Sequence, residues 1–206
     1  MGGTVYDKGA LVMHTLRGVL GDEVFFEALQ SYGREFLHGN AVTEDMAASF
    51  SETAGEDLGW FLDGWVYSPG NPVYRYGLHS REVAPGLWQA DVQVSQDLQA
   101  FSMPLPFELL LADGSTAEGS VWVEGEGGAA VYCLEQDAAG ISMDPGFWVP
   151  LATFEESGTG PLPVVCLPPA DESRTGACAC GAAGGSAGGL SVLVLSVLAA
   201  LRRRCA

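Results

Sequence analysis

Apolar side chains recur at helical spacing through the N-terminal third of the chain. Val12, Leu16, Val19 and Leu20 form one apolar stripe, and Gly21 interrupts the helix that this stripe predicts. Beyond Gly21, apolar residues at steps of four, three and four predict a second amphipathic helix, formed by Phe25, Leu29, Tyr32 and Phe36. The first part of the chain is therefore predicted to be a bundle of helices.

Capping signals predict where these helices begin and end. Thr4, followed three residues later by Asp7, approximates a capping box and places Tyr6 in the first turn of the first helix. Thr43 is predicted to cap a third helix. A fourth helix, which Ser68-Pro69-Gly70 ends, is indicated by the spacing of Leu58, Phe61, Leu62 and Trp65.

From Val73 onward the apolar positions alternate with polar ones, as in half-buried strands. The clearest alternation is that of Trp88, Ala90, Val92 and Val94 with their polar neighbours. Asp113-Gly114 lies between two apolar runs and predicts a hairpin. About seven strands with regular turn signals predict an antiparallel β-sandwich. This sandwich is assigned to residues 73–154, after the helical unit of residues 1–72.

The C-terminal part of the chain has a different composition. Residues 155–181 are rich in Pro, Gly and Cys and are interpreted as a linker. Residues 182–206 are predicted to form an apolar anchor helix, although they reach the required length of about twenty residues only when Gly and Ala are counted. Arg202-Arg203-Arg204 predicts a cytoplasmic C-terminal end, with the preceding residues on the extracytoplasmic side.

This tail resembles the C-terminal sorting tails of the myxobacterial type, with Cys178-Ala179-Cys180-Gly181, a Gly/Ala-rich spacer, an apolar segment and three arginines. The resemblance implies a sorting signal that is processed while the protein is kept at the cell surface. A plain C-terminal membrane anchor is the alternative. Either interpretation places the protein at the cell envelope.

Net charge and cysteine spacing argue against some classes of partner and metal site. Nine basic and 26 acidic residues give a net charge of −17, which argues against nucleic acid as a partner. Cys178 and Cys180 are separated by one residue and no second pair follows, which disfavours a structural zinc site. Cys133 and Cys166 can pair in an oxidising compartment, but their separation in sequence does not decide this.

Four blocks of the sequence carry a resemblance to a known protein family. Val5-Tyr6-Asp7-Lys8-Gly9-Ala10 is similar to the Tyr-Glu-Lys-Gly-Ala segment of the membrane alanyl aminopeptidase and leukotriene hydrolase family of zinc peptidases, the gluzincins. Three further blocks follow in the family's order: Leu20–Phe26 (LGDEVFF), Gly39–Met46 (GNAVTEDM) and Asp57–Pro72 (DLGWFLDGWVYSPGNP). The resemblance implies the helical end of a gluzincin catalytic domain, followed by the sandwich and the C-terminal apolar helix, an α+β multidomain fold.

The resemblance implies a catalytic role for Tyr6. In the family, a zinc ion held by His-Glu-x-x-His and a later Glu polarises the substrate carbonyl and activates water. Tyr6 matches the tyrosine that stabilises the resulting oxyanion, for which a phenol hydroxyl is a suitable donor. Asp7 stands where the family has Glu. The negative charge is kept, but the side chain is shorter. The alternative is a buried structural tyrosine.

The residues that would bind zinc are not found in the sequence. His14, His38 and His79 are scattered and no His-Glu-x-x-His occurs, so the chain alone is expected to bind no zinc and to be inactive. His14 is interpreted as a solvent or second-layer histidine and not as a ligand. Because no leader precedes the first helix, the chain is expected to be a fragment whose zinc site lies upstream.

The sequence therefore predicts the C-terminal part of a zinc-dependent aminopeptidase that hydrolyses N-terminal peptide bonds. Its partners would be a peptide substrate and, through the tail, the membrane or cell envelope. The alternative from another class is a noncatalytic cell-surface module for adhesion or binding.

Overall fold

The structure is a computed structural model that describes residues 2–98 and 101–167. The apolar helix predicted within residues 182–206 lies outside these residues, as do residues 168–181 of the predicted linker. Among the helices that the structure describes, none combines the length and the apolar character needed to cross a bilayer.

The first helix, α1 (Gly2–Glu35), is bent at Gly21, whose φ of 75° and ψ of 164° are not helical. The predicted break at Gly21 is thus confirmed, as a kink within one helical stretch. Glycine adopts a positive φ without the clash that a Cβ atom would cause. The cap predicted at Thr4 is wrong, because the helix already includes Gly2 and Tyr6 lies in its second turn.

The second helix, α2 (Thr43–Ala54), begins one residue after its N-cap, Val42. Thr43 is therefore the first helical residue and not the cap, contrary to the prediction. The N–H of Val42 donates a 2.9 Å hydrogen bond to Oδ2 of Asp45, so Asp45 fixes the start of the helix from within. Gly55, with φ 72°, ends the helix in the left-handed conformation.

The predicted fourth helix is present but changes its winding. A short α-helix, α3 (Gly59–Leu62), continues directly into a π-helical turn, Asp63–Tyr67. Ser68 then returns to extended backbone, as the Ser68-Pro69-Gly70 signal predicts. The four apolar residues whose spacing predicted this helix are all buried: Leu58, Phe61, Leu62 and Trp65.

Seven strands follow within the described residues. They are β1 (Val73–Ala84), β2 (Leu87–Gln96), β3 (Met103–Leu111), β4 (Thr116–Val123), β5 (Gly127–Leu134), β6 (Ala138–Met143) and β7 (Thr153–Glu156). They form a four-stranded sheet in the order β5-β2-β1-β7 and a three-stranded sheet in the order β4-β3-β6. The mixture of helices and sheets agrees with the predicted fold class.

The strand pairing is antiparallel with one exception. The hairpin predicted at Asp113-Gly114 joins the antiparallel strands β3 and β4 and is confirmed. The exception is β7, which pairs with β1 in parallel, so the description of the sandwich as wholly antiparallel is wrong. A long connection, and not a hairpin turn, joins β6 to β7. It allows β7 to run in the same direction as β1.

The helices and both sheets share one apolar core. Trp65 contacts Phe101 edge to face, with ring centroids 5.2 Å apart. Trp148 packs against α1 at Gly18, where an added Cβ atom would lie 2.9 Å from the indole. Gly18 is therefore needed for the close approach of α1 to the loop that carries Trp148.

Strand β2 is buried on both faces, where the alternating pattern predicts burial of only one. Ala90 and Val92 face the core, but Gln89 and Asp91 on the opposite face are also fully buried. The cover is provided by residues 157–167, which contact this face and which the composition assigns to a linker. A disulfide joins Cys133 of β5 to Cys166 in this covering segment.

Tyr132 offers a test of the packing between the two sheets. Its hydroxyl donates to O of Ser120 and accepts from N of the same residue, both at 2.9 Å. We expect Tyr132→Phe to lower the free energy of unfolding by about 1–2 kcal/mol, because two half-buried main-chain groups lose their partner. Tyr76→Phe is the matched control, since among the described residues the Tyr76 hydroxyl has no hydrogen-bond partner. Equal stability of both variants in urea unfolding would contradict this role for Tyr132.

Candidate active site

The candidate catalytic residue Tyr6 lies on the first half of α1 with its side chain in solvent. Its exposed fraction is 80%, the highest among the large hydrophobic side chains described, and Asp7 beside it is also exposed. Helical spacing places Tyr6 on the same side of α1 as Gly9 and Met13, three and seven residues later. Tyr6 is thus not buried by the described residues, and its catalytic role stays a prediction.

Next to this face of α1 is an apolar cavity of about 420 Å³. Its wall combines the first turns of α1, the start of α2 and the π-helical turn, and consists of Lys8, Gly9, Val12, Met13, Thr43, Met46, Trp65 and Val66. Three separate segments meet here: α1 packs on α2, and a hydrogen bond from Tyr67 to Glu44 joins the π-helical turn to α2. Lys8 contributes the cationic side chain to the wall.

The indole of Trp65 lies in the cavity wall and is almost fully buried, with 1% of its surface exposed. It stacks on Phe61, with ring centroids 5.8 Å apart and an interplanar angle of 23°. Its Nε1–H has no hydrogen-bond partner in the part of the chain that the structure describes. A buried donor without a partner lowers the free energy of unfolding.

A hydrogen bond joins α2 to the π-helical turn beside the cavity. The Tyr67 hydroxyl donates to Oε1 of Glu44 at 2.7 Å. This hydrogen bond lowers the pKa of the Glu44 carboxyl and raises the pKa of Tyr67. Sequence analysis missed this pair, because nothing in their spacing brings residues 44 and 67 together.

The histidines lie apart from one another. His14 stacks on Trp148 with ring centroids 5.1 Å apart, and its Nε2 is 3.1 Å from O of Phe147. His38 follows α1 with a positive φ, and His79 lies on β1. Among residues 2–98 and 101–167, no three side chains of the kinds that bind metal come together. The described residues therefore do not form a zinc site.

The loop after β6 holds α1 against the sandwich. The Asp144 carboxylate accepts hydrogen bonds from N of Trp148 at 2.7 Å and from N of Val149 at 2.8 Å. Burial raises the pKa of this carboxyl, while the two N–H donors and the nearby His14 act in the opposite direction. Sequence analysis did not predict this contact, because it joins segments that are far apart in the chain.

Comparison with known proteins gives a family relationship for the helical part. Residues 2–65 match the model of the Peptidase family M1 domain. Aminopeptidase N of Lactococcus lactis subsp. lactis is 42% identical over 69 residues, which cover 34% of this chain and 8% of that protein. Aminopeptidase M1-D of Oryza sativa subsp. japonica is 33% identical over 118 residues, covering 57% of this chain and 11% of the relative.

A solved structure is similar over most of the fold. The crystal structure of Legionella pneumophila aminopeptidase A in complex with aspartic acid matches with a TM-score of 0.62 and 21% identity. The match covers 77% of this chain and 18% of that protein, so it extends beyond the helices into the sandwich. The chain spans about a tenth of the length of the curated relatives named above.

The contact between Glu44 and Tyr67 can be tested by titration. Tyr67→Phe removes the donor, so we expect the pKa of the Glu44 carboxyl to rise toward its ordinary value. The lowered pKa stabilises the fold above the unfolded-state pKa, and this effect is lost as the pH falls through the folded-state pKa. Carboxyl NMR titration of Glu44 measures the change, with Tyr32→Phe as the control. A Glu44 pKa that is the same in all three proteins would contradict the contact.

Proposed function

We propose that this chain supplies the end of the catalytic domain and the following β-sandwich of a zinc-dependent aminopeptidase of the M1 family. The observation that carries the proposal is the family match over residues 2–65. Within that segment, Tyr6 presents an exposed phenol on the helix that lines an apolar cavity. The proposed substrate class is a peptide with a free N-terminus, which the enzyme would shorten from that end.

In this proposal Tyr6 donates a hydrogen bond to the oxyanion that forms when water attacks the scissile carbonyl. A donor aimed at this oxygen stabilises the transition state more than the substrate, and therefore raises kcat. The phenol is neutral, so it stabilises the oxyanion by hydrogen bonding without the cost of burying a second charge. Asp7, next to it on an exposed turn, is proposed to keep the charge of the family's glutamate.

The cavity supports the proposal that another part of an M1 catalytic domain packs on this surface. Its wall is apolar, and an apolar surface of this kind marks a place where another protein segment packs. Because the described residues do not gather zinc ligands, we propose that the metal is bound by that other part, and that the isolated chain is inactive.

A chimaeric enzyme tests the role of Tyr6. Residues 2–65 of this chain would replace the matching segment of the L. lactis aminopeptidase N, which is expected to supply the zinc site. In the chimaera, Tyr6→Phe should lower kcat by roughly a hundred- to a thousandfold with zinc content unchanged, because one oxyanion donor is lost. Turnover of an aminoacyl substrate and metal analysis measure the two quantities.

Tyr32→Phe in the same chimaera is the matched control, since Tyr32 packs on Phe36 and Phe50 away from the cavity. It should keep turnover within about twofold of the unaltered chimaera. Full turnover of Tyr6→Phe would show that Tyr6 is not the oxyanion donor. A zinc-loaded but inactive chimaera would contradict the assignment of residues 2–65 to the catalytic domain.

We further propose that the protein lies on the extracytoplasmic side of the cell envelope and is held there by residues 175–206. The Cys133–Cys166 disulfide supports this location, because such bonds persist in oxidising compartments. Arg202, Arg203 and Arg204 support a cytoplasmic C-terminal end, because moving three cations across a bilayer is unfavourable.

The location can be tested with two exported versions of the chain. Both carry the same signal peptide, and one ends at Arg174 whereas the other extends to Ala206. We expect the shorter version in the soluble extracytoplasmic fraction and the longer one with the membrane or surface fraction. Equal release of both versions would show that residues 175–206 do not retain the protein.

A further inference from the structure

Residues 157–167, which we call the strap, follow β7 and cross the face of the four-stranded sheet that points away from the core. The strap has no strand assignment, and its main chain is held by side chains of β1 and β2. These side chains are polar and lie on the face opposite Ala90 and Val92. The sheet thus carries a set of polar groups that recognises an extended main chain.

The centre of the strap is bound by an ion pair. Asp91 is fully buried, and its Oδ2 accepts from N of Leu162 at 2.9 Å and from Nη1 of Arg81 at 2.8 Å. Nη2 of Arg81 donates to O of Leu162. Both main-chain groups of Leu162 are therefore bound by one pair of opposite charges, in which Asp91 is buried and Arg81 is half-buried.

Gln89 binds the next part of the strap. Its Oε1 accepts from N of Val165 at 2.8 Å and from N of Cys166 at 3.2 Å. Its Nε2 donates to O of Pro163 at 2.9 Å and to Oδ1 of Asp91 at 2.7 Å. The amide thereby connects the strap to the ion pair, and each of its two polar atoms has partners.

The strap also fits closely at its beginning. N of Ser157 donates to O of Tyr76 at 2.7 Å. A Cβ atom added to Gly77 would lie 2.3 Å from Cγ2 of Thr159, so a glycine is needed there for the strap to approach β1. Nε2 of Gln93 donates to O of Gly160 at 2.6 Å.

The strap's own side chains contribute little apolar burial. Within it, Cys166 alone is buried, at 2% exposure, while Val164, Val165 and Leu167 are exposed at 55%, 37% and 76%. Main-chain hydrogen bonds replace bonds to water and so contribute modestly to net attachment. The remaining link is the covalent bond from Cys166 to Cys133 on β5, which limits the conformations available to a detached strap.

We propose that the strap is redox-controlled: the Cys133–Cys166 disulfide locks it on the sheet, and reduction releases it while the two sheets stay folded. Reduction by a dithiol adds two electrons and two protons, which convert the disulfide into two thiols while the dithiol becomes a disulfide. Release exposes the Arg81–Asp91 pair and Gln89 to water. It also moves the point at which the chain beyond residue 167 leaves the sandwich. This inference does not depend on the proposed peptidase function.

Hydrogen exchange of the full chain, followed by mass spectrometry, tests the proposal. In the oxidised protein, peptide mapping should find Cys133 linked to Cys166. Reduction by a dithiol should speed exchange of the Leu162 and Val165 amides by about tenfold or more, because these amides lose their partners when the strap opens. Peptides from α2 and from β3 should keep their exchange rates, and reoxidation should restore protection of the strap.

Two variants distinguish loss of the Cys133–Cys166 disulfide from other effects of adding a dithiol. Cys166→Ser should show fast strap exchange without reductant, whereas Cys205→Ser, which leaves Cys133 and Cys166 in place, should behave as the unaltered chain does. Unchanged strap exchange after reduction would overturn the proposal, because the hydrogen bonds would then hold the strap alone. Faster exchange in β3 together with the strap would also overturn it, since the disulfide would then stabilise the whole sandwich. Absence of the Cys133–Cys166 link in the oxidised protein would do the same.

Discussion

Burial of Trp65 between Phe61 and Phe101 joins the helical part of the chain to the sandwich. Phe61 belongs to α3 and Phe101 lies two residues before β3, and all three rings are at most 1% exposed. Aromatic side chains of this size bury a large apolar area, and their removal commonly costs several kcal/mol. The same indole forms part of the cavity wall, so the contact that holds the two parts together also shapes the candidate site.

The π-helical turn at Asp63–Tyr67 is what permits both roles. An extra residue in a helical turn shifts the side chains that follow it, and such turns are frequent at functional sites. Here Trp65 lies in the core, where its Nε1–H has no partner among the described residues, and Tyr67 lies within hydrogen-bond distance of Glu44. A regular α-helix over the same residues would not be expected to keep both contacts.

Sequence periodicity predicted those features that depend on neighbouring residues. The kink at Gly21 and the hairpin at Asp113-Gly114 are local, because glycine at those positions allows a backbone that other residues avoid. The cap of α2 was missed by one residue, since Asp45 can bind the N–H of Val42 whatever side chain stands there. The parallel pairing of β7 and the contact of Trp148 with Gly18 depend on packing between distant segments, which periodicity does not encode.

Composition predicted a linker for the strap, residues 157–167, and this prediction missed the strap's ordered contact with the sheet. Pro, Gly and exposed side chains are typical of linkers, and nothing in the strap's own pattern indicates an ordered contact. The information lies instead in β2, where Gln89 and Asp91 occupy positions that alternation assigns to solvent. Polar side chains satisfy an alternating pattern equally well when they face water and when they bind another main chain. The two cases can be separated only by locating the segment that covers them.

The exposure of Tyr6 and the open cavity are two aspects of one physical requirement. A hydrogen bond to an oxyanion stabilises the transition state strongly only where water is excluded and the effective dielectric constant is low. At 80% exposure, the Tyr6 hydroxyl competes with water for any acceptor. In the proposed enzyme, the segment that covers the apolar wall would also remove water from around Tyr6. Covering the cavity and activating the tyrosine would then be a single event, and a variant that prevents this packing should impair kcat even when Tyr6 is intact.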